Sequence, residues 1–244
     1  MNNLKRNPYL PIIMIFILMA VNSLMRGGYS NPMDWLMEKL LILPGIIIGL
    51  SFHEFGHAIV STKLGDPTPK NQGRVTLNPL AHVDPVGMVC LIFCGFGWGI
   101  PVQINPAYYK NRRQGEIMVG FAGVVMNLIL ALTFSLLIGV LNIIVPGFKT
   151  DLSGDFFSTL FNILYFTVYI NVVLMIFNLL PVPPLDGFGI VTNLFHLEKY
   201  SWYEKYYQYG YFILIFLVLL GVVGAVLTPL VGWVMYPMHL LMSI

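Results

Sequence analysis

Charge is scarce in this chain of 244 residues: Lys, Arg, Asp and Glu together make up only 10% of it. Soluble domains carry about 25% charged and about 45–50% apolar residues, whereas the apolar share here is 57%. So few ionic side chains cannot cover a water-soluble fold of this size, and a mean hydropathy of +0.77 makes lipid the expected solvent for most of its surface. The net charge is only +2, with no basic block long enough to track a nucleic-acid backbone, so no nucleic-acid partner is expected. Cysteine is nearly missing as well. Cys90 and Cys94, in the apolar run CLIFC, have no other soft ligands close in sequence and read as buried thiols, with no disulfide framework. No internal repeat or low-complexity linker divides the chain, so residues 1–244 read as one integral-membrane domain with a core at about 40–190.

What is present in abundance is long apolar sequence. A helix needs about 20 apolar residues to cross the hydrocarbon core. Stretches at about 8–25, 40–62, 116–145 and 157–181 meet that length, and a fifth covers about 207–227. The tail LTPLVGWVMYPMHLLMSI is either a further short span or an interfacial helix. The amino terminus has a basic start and an apolar run but no small-x-small cleavage site after it, and reads as a retained first span. The expectation is an all-α polytopic membrane protein of about five to six spans.

Residues 86–104, VGMVCLIFCGFGWGIPVQI, are short and broken by Gly95, Gly97, Gly99 and Pro101. If this stretch dips in and returns, one side of the membrane collects Lys5, Arg6, Lys63, Lys70, Arg74, Lys110, Arg112, Arg113, Lys199 and Lys205. The other keeps Arg26, Lys39 and Lys149. If it crosses, the basic residues divide almost evenly. Because basic residues favour the cytoplasmic side, the sequence predicts a re-entrant, partly extended segment here.

Residues 53–57 read HEFGH, an instance of H-E-x-x-H. Four residues apart on a helix, His53 and His57 project from one face and can offer two imidazole nitrogens to one ion. Glu54, about 100° round the helix, can act on a water activated by that ion without ligating it. The pattern alone could be a pair of hydrogen-bonded helix histidines, but here it follows LLILPGIIIGLSF inside a membrane span. Ionisable groups are costly there and usually functional. Catalytic zinc takes three protein ligands and keeps an open position. Asp186, after PVPPL at the end of an apolar span, has the best setting for the third, with His82 and Asp84 of AHVDP as competitors. His53 and Asp186 can meet only if their two helices run parallel, and re-entry at 86–104 makes them so.

With these motifs in order, the chain resembles the site-2 protease family of intramembrane zinc metalloproteases, in particular small members without PDZ or CBS domains. The resemblance spans about 43–190: HEFGH, GRVTLNPLAHVDPVG at 73–87, GWGIPVQINP at 97–106, AGVVMNL at 122–128 and NLLPVPPLDG at 178–187. It implies one Zn2+ per chain held by His53, His57 and Asp186, with Glu54 as catalytic base. It also implies transmembrane-protein substrates, cleaved within or near their spans from the cytoplasmic side of the cell membrane. Two positions depart from the family pattern. Val124 stands where A-G-P-x-x-N has proline, and GWGIP replaces the commoner G-W-A-K-P.

Cleaving a helical segment requires unwinding it, and its freed amide groups then need new partners. Residues 73–79 and 100–105 could present a strand edge for that purpose. Asn127 and Asn178 are candidates for binding the oxyanion or the substrate carbonyl, with interhelical hydrogen bonding as the equal alternative. His196 and His239 read as interfacial, YSWYEKYYQYGY at 200–211 as an aromatic belt, and the 13 methionines as fillers. A zinc-holding scaffold without catalysis would not need Glu54. A transporter would be expected to show a repeat.

Overall fold

The computed structural model describes residues 31–94, 98–145, 148 and 155–244, besides Val21 and Met25. Among these the chain is all-helical. Its main helices are α1 (Pro32–Lys63), α2 (Pro85–Cys94), α3 (Arg112–Ile144), α4 (Asp155–Asn178), α5 (Asp186–Phe195), α6 (Tyr203–Leu219) and α7 (Val222–Met242). Of these, α1, α3, α4 and α7 are long and apolar enough to cross a membrane. The expected first span at 8–25 lies almost wholly outside the described residues. The expected span at 207–227 is divided instead: Gly221, at φ +75°, ends α6 and starts α7, so the tail after 228 belongs to a 21-residue helix.

Helix starts follow local chemistry. The Asn31 side chain accepts the Asp34 N–H ahead of Pro32, and the Asn111 side chain accepts that of Gln114, each satisfying one orphan donor of a helix's first turn. The three helices α1, α3 and α4 pack on one another through small residues, as membrane helices do. A Cβ at Gly45 would lie 2.9 Å from the Thr167 Cα of α4, and one at Gly56 would lie 2.8 Å from the Ala122 carbonyl of α3. A buried apolar cluster of α3, α4 and α7 includes Ala131, Ile138, Val168, Val172 and Met238. Large apolar side chains such as Ile129, Leu136 and Trp233 face outward, as a lipid solvent permits.

The re-entrant expectation is met. Helix α2 has ten residues and rises about 15 Å, half of a hydrocarbon core about 30 Å thick. The chain also comes back to where it left: the Ile100 N–H donates to the His82 carbonyl at 2.7 Å, and a Cβ at Gly87 would lie 2.0 Å from the Trp98 carbonyl. At its far end the returning chain is tied to the end of α1, where the Asn105 N–H donates to Asp66 Oδ2 at 2.7 Å. The segments on either side of α2 therefore lie on one side of the helix bundle.

Candidate metal centre

His53 and His57 sit ten and six residues before the end of α1, about 15 and 9 Å from it along the axis. Asp186 is the first residue of α5, carried in by the turn that follows α4. That turn is tight, since a Cβ on Gly187 would lie 2.2 Å from the Leu179 carbonyl. Asp186 Oδ2 lies 3.2 Å from His53 Nε2 and 3.3 Å from His57 Nε2, and the two Nε2 atoms are 3.1 Å apart.

Hydrogen bonding on the far side of each ring sets what these atoms are. His53 Nδ1 lies 2.8 Å from Asn127 Oδ1, and His57 Nδ1 lies 2.7 Å from the Val119 carbonyl. Both partners are acceptors, because the Asn127 amide nitrogen donates to the Gly49 carbonyl at 3.1 Å and to Asn171 Oδ1 at 2.9 Å. Each ring thus carries its proton on Nδ1 and turns an Nε2 lone pair inward. Asp186 Oδ2 is itself buried with no hydrogen-bond partner. Three electron-rich atoms this close repel one another unless a cation lies among them. Tetrahedral zinc with nitrogen and oxygen ligands at about 2.0–2.1 Å sets such atoms about 3.3 Å apart. The residues fit the metal.

The helix register explains why both rings are held at once. Val119, Gly123 and Asn127 repeat every four residues on α3, matching His57 and His53 on α1. Asn127 holds one ring, Val119 the other, and Gly123 leaves room between them: its Cβ would lie 2.6 Å from His53 Cε1 and from His57 Nε2.

Glu54 is not one of the three grouped donors, and its Oε2 accepts the Val102 N–H at 2.9 Å. Glu54, Val102 and Asn178 line the same cavity, of about 830 Å³, as His53, His57 and Asp186. Asn178 spends one amide N–H on the Leu174 carbonyl at 3.0 Å. Asn127, fully buried, has both amide hydrogens committed and does not line the cavity.

The competing donors are engaged elsewhere. His82 Nε2 meets the Thr76 carbonyl at 2.7 Å, and Asp84 caps α2 through the Gly87 N–H at 2.6 Å. Glu116 binds Arg112 and Asn193, His196 pairs with Glu198, and His239 stacks on Tyr165. Asp66 is buried among Ser61, Thr68 and Asn105; burial works to raise its pKa, but hydrogen bonds from these three residues outweigh it and hold the carboxyl below the usual carboxylate range. Among the described residues, only His53, His57 and Asp186 form a group of three donors able to hold a metal. Val124, in place of the family proline, is buried in the α3–α4 core, and α3 runs unbroken past it.

Sequence reasoning missed the Val119 carbonyl, Asn171 and the Val102 N–H. Asn171 left a legible signal, a polar residue in an apolar span. The other two are backbone groups that no side-chain pattern discloses.

Comparison with known proteins agrees with this geometry. The sequence model of peptidase family M50 matches residues 41–221. "Putative zinc metalloprotease YwhC" of Bacillus subtilis is 37% identical over 204 residues, which cover 83% of this chain and 86% of that one. Rip2 of Mycolicibacterium smegmatis, with the same description, is 29% identical over 83% of this chain and 76% of its own. "Zinc metalloprotease MJ0392" of Methanocaldococcus jannaschii is 23% identical over 78% of this chain and 43% of its own. No solved structure matches.

Proposed function

The chain belongs to peptidase family M50 and is a zinc metalloprotease, and from that premise we propose that it hydrolyses peptide bonds within or near the transmembrane segments of membrane proteins, as a step of regulated intramembrane proteolysis. The observation that carries this reading is a metal-holding triad and a neighbouring glutamate in one cavity, placed near the end of a helix long enough to span the bilayer.

Bound by His53, His57 and Asp186, zinc supplies Lewis-acid chemistry, polarising a carbonyl and lowering the pKa of water. Glu54 is the general base in this reading. The Val102 N–H fixes one of its carboxylate oxygens, leaving the other to take a proton from the attacking water and pass it to the departing amide nitrogen. Asn178, with one amide N–H uncommitted toward the cavity, is the better placed of the two asparagines to steady the substrate carbonyl or the oxyanion. Asn127 serves by orienting His53.

An unwound substrate needs partners for its backbone. The N–H groups of Ile100, Val102 and Asn105 are taken, whereas the backbone of Gln103 and Ile104 pairs with no described residue. Of the two, Ile104 lines the cavity, and its backbone is where we place an extended substrate. The excess of basic residues on the 63–115 side supports an active site toward the cytoplasm, with residues 1–244 acting as one catalytic domain in the cell membrane.

The test compares membrane-protein fragments from cells carrying wild type and Glu54→Gln, alongside metal analysis of both purified proteins. Zinc near one per chain in each, with fragments only in wild type, is the expected result. Identical fragment patterns would refute the proposal.

A further inference from the structure

Glu54 is one helical position from a metal ligand, yet its carboxylate is held by a different part of the chain. The element that holds it is the neck of the re-entrant segment. Val102 follows Pro101, which has no N–H, and its own N–H donates to Glu54 Oε2 at 2.9 Å. Gly99 passes directly beneath the same carboxylate: a Cβ there would lie 3.9 Å from Glu54 Oε1 and 2.9 Å from the His82 carbonyl. The base is therefore aimed by residues 99–102, and its precision depends on what fixes them.

One side chain spans the neck. Nη1 of Arg74 donates to the Ala81 carbonyl, on the outgoing limb, and Nη2 donates to the Ile100 carbonyl, on the returning one. Among the described residues the neck has a single direct backbone link, from the Ile100 N–H to the His82 carbonyl. Arg74 adds a planar two-pronged bridge that a lysine cannot copy, because an ammonium lacks the fixed fork. The guanidinium makes no contact with His53, His57 or Asp186 and does not line the cavity.

We propose that Arg74 is a positioning residue for the catalytic base: it locks the two limbs of the re-entrant neck so that the Val102 N–H holds Glu54 at the angle needed for proton transfer. The inference rests on the reading of Glu54 as the base. A displacement of about 1 Å in a reacting group can cost up to about 100-fold in rate, so loss of the bridge acts on turnover while the metal stays bound.

The experiment is a double-mutant cycle on the full chain in detergent or vesicles, using a cleavable membrane-protein substrate. Arg74→Ala and Arg74→Lys should each lower kcat by about 10- to 100-fold, with zinc still near one per chain. Val102→Pro, which deletes the N–H, should cause a similar loss. Arg74→Ala combined with Val102→Pro should fall little below the worse single variant, since both cut one link. Methylguanidinium should restore part of the rate to Arg74→Ala and none to Arg74→Lys.

Losses that multiply in the double variant, a kcat within twofold of wild type, or zinc lost in step with activity would each overturn the proposal. Glu54→Gln run in parallel separates the two ideas. If it still turns over, the base assignment itself has failed, whatever Arg74 does.

Discussion

At the scale of single residues, the site is set by groups one step away from the metal donors. HEFGH and Asp186 were legible because ionisable side chains inside apolar runs stand out and four-residue spacing aligns two imidazoles. The orientation of those imidazoles was not legible, since it depends on the Val119 carbonyl and on an amide, Asn127, whose role could be read two ways. Partners of this kind typically change metal affinity by about 10- to 100-fold. Asn127→Leu, which keeps the bulk but loses the acceptor, should weaken zinc binding by about that factor in chelator competition. Equal affinity in wild type and Asn127→Leu would show that His53 needs no anchor. Gly123→Ala belongs to the same scale. Its methyl would sit 2.6 Å from atoms of both rings, so the purified protein should contain well under one zinc per chain.

At the scale of elements, two short connections carry what the long helices cannot. The sequence predicted the re-entrant segment from broken apolar length and charge, and the neck contacts around α2 agree. It did not disclose where α6 ends, because a glycine within an apolar run looks the same whether it packs or turns. The turn into α5 has to bring Asp186 back to α1, and Gly187 lets it pass against the Leu179 carbonyl. Gly187→Ala cannot be absorbed by a flexible side chain, since the atom it meets is backbone. Zinc content and activity should fall together in that variant, while Gly189→Ala, with nothing within 4 Å of the new methyl, should keep its zinc. Matching metal contents in the two would mean that the turn is looser than its contacts imply.

The second connection ends on Asp66, which accepts from Ser61, Thr68 and Asn105 at 2.7–2.9 Å. Its pKa is depressed in the folded protein, so its contribution is full above the unfolded value of about 3.9 and is lost as pH falls through the folded one. Asp66→Asn should therefore lower the unfolding temperature near neutral pH, by about 1–3 kcal/mol in stability. Thermal melts in detergent should show the gap to wild type closing below about pH 4.

At the scale of the whole molecule, the arrangement is one of sidedness. The metal donors come from the last turns of α1 and the first residue after the α4 turn, and both lie toward the side that holds residues 64–84 and 98–111. With α2 too short to cross, α1, α3 and α4 are, among the described residues, the helices between residue 32 and residue 178 long and apolar enough to cross, so α1 and α4 run parallel and their ends can share an ion. If α2 crossed, Asp186 would face the opposite surface from His57, and the 3.3 Å approach between them could not form. Sidedness can be read directly by cysteine labelling in a Cys90→Ser, Cys94→Ser background. Lys70→Cys, Lys110→Cys and Lys199→Cys, all at exposed positions, should react with a membrane-impermeant maleimide only after cells are opened. Met33→Cys, exposed at the start of α1, should react on intact cells. Lys70 and Lys110 bracket the re-entrant segment, so labelling of that pair from opposite sides would mean that residues 86–104 traverse the bilayer, and the convergence of α1 with Asp186 would have to be abandoned.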